Sequence, residues 1–167
     1  MTHILRNFTA FVDGYDLRME VEELTPPLIR DLTDEVKSGA LDAPYDVPLG
    51  LQKLEASLKI NSRQKELMKK AGLGPGSNIR ATFRGVAISE VDGSQQNEVL
   101  VMQGRISADA AAWAAQTVNK ADFKIGSITY YKHLVDGAPL YEIDLFNFVR
   151  IIGGVDQLAG VRNGLGL

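Results

Sequence analysis

Two carboxylates lie two residues apart near the end of this chain, Glu142 and Asp144, within the stretch LYEIDLFNFVRIIGGVDQL at 140–158. Side chains on an extended strand alternate faces, so these two share a side, an arrangement from which an acid and a base or nucleophile can act on a glycoside. Their neighbours argue for a different use. Leu140, Phe146 and Phe148 fall on the same face, while Tyr141, Ile143, Leu145 and Val149 form an apolar core face opposite. No cluster of aromatics, polar loop or further partner marks a substrate cleft around the acids. A face that mixes acids with phenylalanines suits neither a dry interior nor open water, and it fits a surface that another subunit covers.

The other reactive side chains are sparse. The two histidines, His3 and His133, have no neighbours that complete a metal set or a nucleophile triad. Cysteine is absent, which removes disulfides, thiolate metal sites and cysteine nucleophiles together. GLGPGSN at 72–78 follows a helical pattern and precedes a strand, the reverse of the order that places phosphate at a helix N-terminus, so it reads as a turn. Arg80 and Arg84 share a strand face and Arg105 can approach them across a hairpin. Without interleaved aromatics, that trio reads as a solvated or salt-bridged face rather than a nucleic-acid groove. With 18 basic and 21 acidic residues, the chain lacks the basic field expected of a protein that grips phosphates. The expectation is no enzyme, no cofactor and no metal.

The elements that hold these residues read as mostly β. A chain of 167 residues is expected to form one domain, burying roughly 70% of the surface its unfolded form exposes. Its parts are an N-terminal arm at 1–7, a long loop at 33–48 and a C-terminal segment at 153–167. Residues 15–23 alternate strictly, with Tyr15, Leu17, Met19 and Val21 opposite Asp16, Arg18, Glu20 and Glu22. Asp13-Gly14 makes a hairpin turn back to 8–12. Pro26 and Pro27 interrupt pairing. The loop at 33–48 carries Gly39, Pro44 and Pro48, yet Val36, Leu41, Tyr45 and Val47 argue against plain disorder. Residues 52–60 alternate again, and 62–71 is expected to be a helix on one side of the sheets, capped by Asn61 and Gln64 and stopped at Gly72. Strands at 78–91 and 97–107 flank an Asp92-Gly93-Ser94 turn, and a strand at 122–135 turns at Asp136-Gly137 into the C-terminal strand. The alanine-rich piece at 108–119 favours helix on propensity. No apolar run reaches signal-peptide length or the roughly 20 residues of a membrane span, so a soluble product not exported by that route is expected.

The words YEIDLFNF, GGVDQL and NGLGL resemble the C-terminus of the major tail tube proteins of contractile-tailed, P2-like bacteriophages and R-type bacteriocins. LRNFTAFVDGYDL, EELTPPL and SGALDAPYDVPLGLQKLEASLKI are similar to that family's opening and its central loop and strand, so the likeness runs in order along nearly the whole chain. The alanine-rich 108–119, with Trp113, departs from the polar loop that family members carry there, and its conformation stays open between helix and loop. The resemblance implies an antiparallel β-sandwich or barrel of two sheets with one flanking helix. It also implies six copies closing a ring and rings stacking into a tube inside a contractile sheath. The implied partners are the sheath, baseplate, tail terminator and tape-measure proteins, with DNA passing unbound, no membrane, assembly in the host cytoplasm and residence in the virion tail.

Within that picture Asp16, Arg18, Glu20 and Glu22, a uniformly polar and net acidic face, are expected to line the lumen. Leu41, Asp42, Pro44, Tyr45 and Val47, with the N-terminal arm, are expected at ring-to-ring contacts. Glu142, Asp144, Phe146, Phe148, Asp156 and Arg162, with the last residues to Leu167, are expected between subunits. Two alternatives stand beside this reading: the tube of a bacteriocin or secretion machine that carries no DNA, and a small β-barrel ligand carrier or enzyme with an apolar pocket.

Overall fold

The structure is a computed structural model describing residues 2–109 and 112–167. Strand β1 (His3–Val12) turns through Asp13 and Gly14, at φ 53° and 88°, into the two-residue β2 (Tyr15–Asp16). That is the twist a two-residue hairpin requires. The alternation expected to run on to residue 23 breaks here. Leu17 drops into the core at 2% exposure and donates its N–H to the Ala10 carbonyl, while the N–H groups of Glu20 and Val21 fold back onto the Leu17 carbonyl. Met19, which the pattern would bury, is 88% exposed. The chain resumes as β3 (Val21–Thr25), so Asp16, Arg18, Glu20 and Glu22 do not form one strand face.

After Pro26 and Pro27 the expected loop is instead a hairpin, β4 (Asp31–Val36) and β5 (Tyr45–Leu51), forming a two-stranded sheet of its own. Every residue of β4 is exposed. Pro48 hides the strand from a periodicity reading because it sits where the register slips, between Leu32 and Thr33, at an irregularity that tolerates a missing donor. The hairpin is anchored at its root by the Gln52 N–H on the Arg30 carbonyl at 2.9 Å and by Arg150 on Asp31 at 3.3 Å.

Strand β6 (Ala56–Ile60) and the approach to it bury Leu54, Ala56, Leu58 and Ile60, as the alternation predicts. The helix that follows, α1 (Lys65–Met68), is shorter than expected. The expected cap residues are used elsewhere: the Gln64 amide donates to the Glu20 carboxylate, joined there by the Ser62 hydroxyl, and the Asn61 N–H goes to the Glu20 carbonyl. Gly72 does adopt the left-handed stop, at φ 77°. Strands β7 (Ile79–Ser89) and β8 (Gln95–Asp109) form the expected long hairpin. In its turn the Asp92 carboxylate accepts from the Ser94 N–H and hydroxyl; the Ser89 side chain first, and then these bonds, lower its pKa to about 2. Of the alanine-rich segment, Ala110 and Ala111 lie outside the described residues, and 112–119 make turns and irregular chain rather than helix.

Strand β9 (Ala121–Val135) leads through Asp136-Gly137 to β10 (Ala138–Asp144). The strand expected to continue to residue 149 ends there, because the Asp144 carboxylate accepts the N–H groups of Phe146 and Asn147 and the Asn147 amide, closing a turn. The chain reverses into β11 (Val149–Ile152), bends at Gly153-Gly154 into β12 (Val155–Asp156) and ends in a small helix, α2 (Ala159–Leu165), that the sequence reading did not contain. Leu145 is therefore exposed rather than part of the core.

All pairing is antiparallel, in the order β2-β1-β7-β8-β9-β10-β11-β12, with β6 and then β3 branching from β9. Strand β9 pairs β6 through 121–125 and β10 through 130–135, and β8 follows it past both. Between the two halves the β8–β9 register slips at Gln103/Arg105 and Ser127 takes φ 47°, so the sheet bends. The β3–β6 arm then closes over the rest: Leu24 and Pro26 share a pocket with Phe8, Phe83, Leu100 and His133. One core results, built on Leu58, Phe83, Met102, Phe123, Ile125, Tyr131 and Ile143. The fold is thus the expected mainly antiparallel sandwich, without barrel closure.

The bend requires glycine at 104. A Cβ there would stand 2.7 Å from the Gly126 carbonyl oxygen and 3.2 Å from the Ile128 Cα, both backbone atoms that cannot rotate away. Gly104→Ala should destabilise the fold by about 2 kcal/mol or more. A urea midpoint unchanged from the parent would contradict that.

Candidate functional site

The residues singled out for chemistry make contacts within the fold. Glu142 lies directly opposite Lys132 and pairs with it at 3.2 Å, and it accepts from the Tyr130 hydroxyl at 3.3 Å. Burial first, and then that carboxylate, push the Tyr130 hydroxyl pKa upward. Asp144 is consumed by its turn. His133 sits 3.2 Å from Glu98 at the mouth of the pocket described above, and His3 meets the Ser94 hydroxyl at 3.3 Å. Among the described residues, no group of three acidic or histidine side chains could hold a metal ion. The arginine trio is divided: Arg80 and Arg84 stay on the outer face, whereas Arg105, past the bend, donates to the Leu73 carbonyl at 2.6 Å.

Surfaces are more informative than pockets. On the outer face of the main sheet one row runs Thr82, Val101, Lys132, Glu142 and Ile151, and the next Arg80, Gln103, Tyr130, Asp144 and Val149. These side chains are exposed or only half-buried, and they mix charged and polar groups with Val101, Val149 and Ile151. A face meant for water alone would carry fewer valines and isoleucines. At one end of the sheet, β2 pairs Phe11 and Val12 and the Leu17 N–H covers Ala10, which leaves the outer edge of β1 from His3 to Thr9 without a partner strand among the described residues. Toward the other end, where β12 is the last strand, lies the β10–β11 turn, with Phe146 80% exposed.

The expected interface residues at the C-terminus form a clasp. Arg162 pairs with Asp156 at 2.9 Å and donates to the Phe148 carbonyl at 3.0 Å, while Asp156 also accepts the N–H groups of Leu158 and Arg150. The bond from Leu158, then those from Arg162 and Arg150, outweigh burial and hold the Asp156 carboxyl below its ordinary range. The clasp brings Asp156 and Arg162 together near Phe148, whereas Glu142 and Asp144 stay on the sheet. Helix α2 buries no residue of its own, so the clasp is its main tie to the body. Its sequence, AGVRNGL, is glycine-rich and has no capping side chain; the one available signal was the left-handed stop at Gly166.

The four residues expected along a lumen are scattered. Arg18 pairs with Asp16 at 2.9 Å, Glu20 binds Ser62, and Glu22 pairs with Lys120 at 2.6 Å. In the hairpin, Leu41, Asp42 and Pro44 form the tip, Tyr45 starts β5 exposed, and Val47 is half-buried.

The sequence that folds this way is similar to known proteins along nearly its whole length. The model of the phage tail tube protein FII family matches residues 2–166. The chain belongs to that family. It is 32% identical over 147 residues to the major tail tube protein of Serratia phage KSP20, covering 87% of this chain and 84% of that one. It is also 25% identical to the tail tube protein of Escherichia phage P2, an alignment covering 100% of this chain and 99% of the other. Both relatives are named as tail tube proteins, and the resemblance read in the sequence is correct at the level of the family.

Because its folded pKa is depressed, Asp156 stabilises the clasp above its unfolded value of about 3.9, and that contribution is lost as pH falls through the lower folded value. Asp156→Asn should therefore speed amide exchange in α2 at neutral pH while β7 to β9 stay protected. Equal α2 protection in both proteins would refute the clasp.

Proposed function

We propose that this chain is the tube subunit of a contractile phage tail, with six copies closing a ring and rings stacking into a conduit for DNA. One observation carries the reading beyond family membership: the β4–β5 hairpin stands off the body as a separate two-stranded sheet, with exposed Leu32, Leu41, Tyr45 and Leu49. Two strands alone are marginal in water, so such a hairpin makes physical sense when another surface covers it.

Ring closure uses the bare β1 edge. Unpaired N–H and C=O groups there template a strand from a neighbour, and a closed ring leaves no edge open to uncontrolled aggregation. The mixed face around Glu142 and Asp144, with Phe146, Phe148 and the Asp156–Arg162 clasp, meets the adjoining subunit. Stacking is heterologous and open-ended, so tail length is set by a tape-measure protein and closed by terminator and baseplate proteins, with the sheath outside. Asp16 at the end of β2, Arg18 and Glu20 in the turn that follows, and Glu22 in β3 line the wall. Three acids to one base leave DNA few cations to displace counterions, so it slides without adhesion. Assembly takes place in the host cytoplasm and the product resides in the virion tail.

Removing the hairpin tip, residues 39–46, should leave a folded subunit that no longer elongates. Long tubes of that variant under negative stain would remove the hairpin from the stacking contact.

A further inference from the structure

The proposed stacking needs a surface to receive the hairpin, and the fold contains one at its opposite end. The hairpin leaves β3 at Thr25 and returns to β6 near Ala56, where Thr25 pairs Ser57. At the other end of the same strand pair, Val21 meets Ile60 and Ile60 meets Ala121. There α1 follows β6, and the segment carrying Trp113 enters β9. The two surfaces are separated by at least the length of β6, four residue steps or about 13 Å.

Their charges are complementary. Residues 31–51 carry Asp31, Asp34, Glu35, Asp42 and Asp46 against Lys37, whereas 62–71 carry Arg63, Lys65, Lys69 and Lys70 against Glu66. Internal pairs use part of each set: Lys37 with Glu35, Asp31 with Arg150, Lys69 with Glu66, and Lys70 with Asp13. Among the described residues, Asp34, Asp42 and Asp46 on the hairpin, and Arg63 and Lys65 at the far end, have no ionic partner within the molecule. Apolar character matches as well. Trp113 is 86% exposed, with the Arg63 guanidinium 5.1 Å above its ring, beside a shallow concavity lined by Ala114, Ala115 and Asn119. The hairpin tip presents Leu41 and Tyr45 next to Asp42.

We infer that the hairpin of one copy docks on the Arg63–Lys65–Trp113 surface of the next, its carboxylates against those cations and its Leu41 and Tyr45 against the indole. The inference rests on the tube reading and names the receiving half of its stacking contact. Because donor and receiver lie at opposite ends of one strand pair, each copy offers one of each, and the contact repeats along an axis without closing. An exposed tryptophan flanked by arginine is also the kind of anchor on which interface affinity concentrates.

Charge reversal tests it. Asp42→Lys with Asp46→Lys, and separately Arg63→Glu with Lys65→Glu, should each keep the parent's circular dichroism and melting curve, since all four side chains are surface groups. Each pair should raise the concentration at which polymer sediments by about tenfold or more. A chain carrying all four changes restores opposite charges and should recover polymer at close to the parental concentration. If the parent polymerises and the Arg63/Lys65 variant does so equally well, or if the fourfold variant is no better than either pair, the docking assignment is wrong while the tube reading stands. A parent that stays monomeric at high concentration overturns the tube reading and the docking with it.

Discussion

Backbone groups that the chain cannot satisfy by itself are the constraint on which the rest of this structure depends. Within the sandwich each strand finds a partner, and the bend at Gly104 and Gly126 lets one long strand pair serve both arms. At the margins the supply of partners ends. Among the described residues, the outer edge of β1 is covered only from Ala10 to Val12, and the β4–β5 ribbon forms a sheet of its own. In an isolated protein such edges invite promiscuous pairing, and natural proteins usually shorten, charge or cover them. Here they are long, and apolar side chains stand along them. The ring and stack proposed above would satisfy both features with one solution.

Stability and recognition are divided between different side chains. Tyr131, Phe83, Phe123, Ile125 and their neighbours make one continuous core, and burial of that apolar surface holds the subunit together. The ion pairs are almost all at the surface, where such pairs contribute about 0–1 kcal/mol each. Loss of any one of them barely affects the fold. Surface charge is therefore available for deciding which surfaces meet and in what orientation.

Strands at 52–60, 78–91, 97–107 and 122–135 were legible because each buries one face and wets the other, which writes period two into the residues. Aspartate-glycine pairs marked the tight turns for the same local reason. The errors came where tertiary demands overrode a local pattern. Met19 and Val21 continue the alternation of Leu17, yet burial of Leu17 bends the chain and exposes Met19. Gln64 is placed to cap a helix, but its amide is drawn to Glu20, and the helix shrinks to a single turn. Asp144 looks like one more strand residue until its carboxylate closes a turn on Phe146 and Asn147. The surfaces themselves were only half legible. The residues of the loop around Leu41 and Tyr45 were singled out for ring-to-ring contact, but the surface around Trp113 was not, and that the two lie at opposite ends depends on a register no periodicity encodes.

The most direct measurement of the central claim is backbone amide exchange of β4 and β5, compared between dilute subunit and sedimented polymer. Hairpin amides of the free subunit should exchange fast while the β7–β9 core stays protected, and the polymer should slow the hairpin amides strongly. Equal hairpin exchange in the two states would mean that the ribbon is no part of the assembly, and the account would fail.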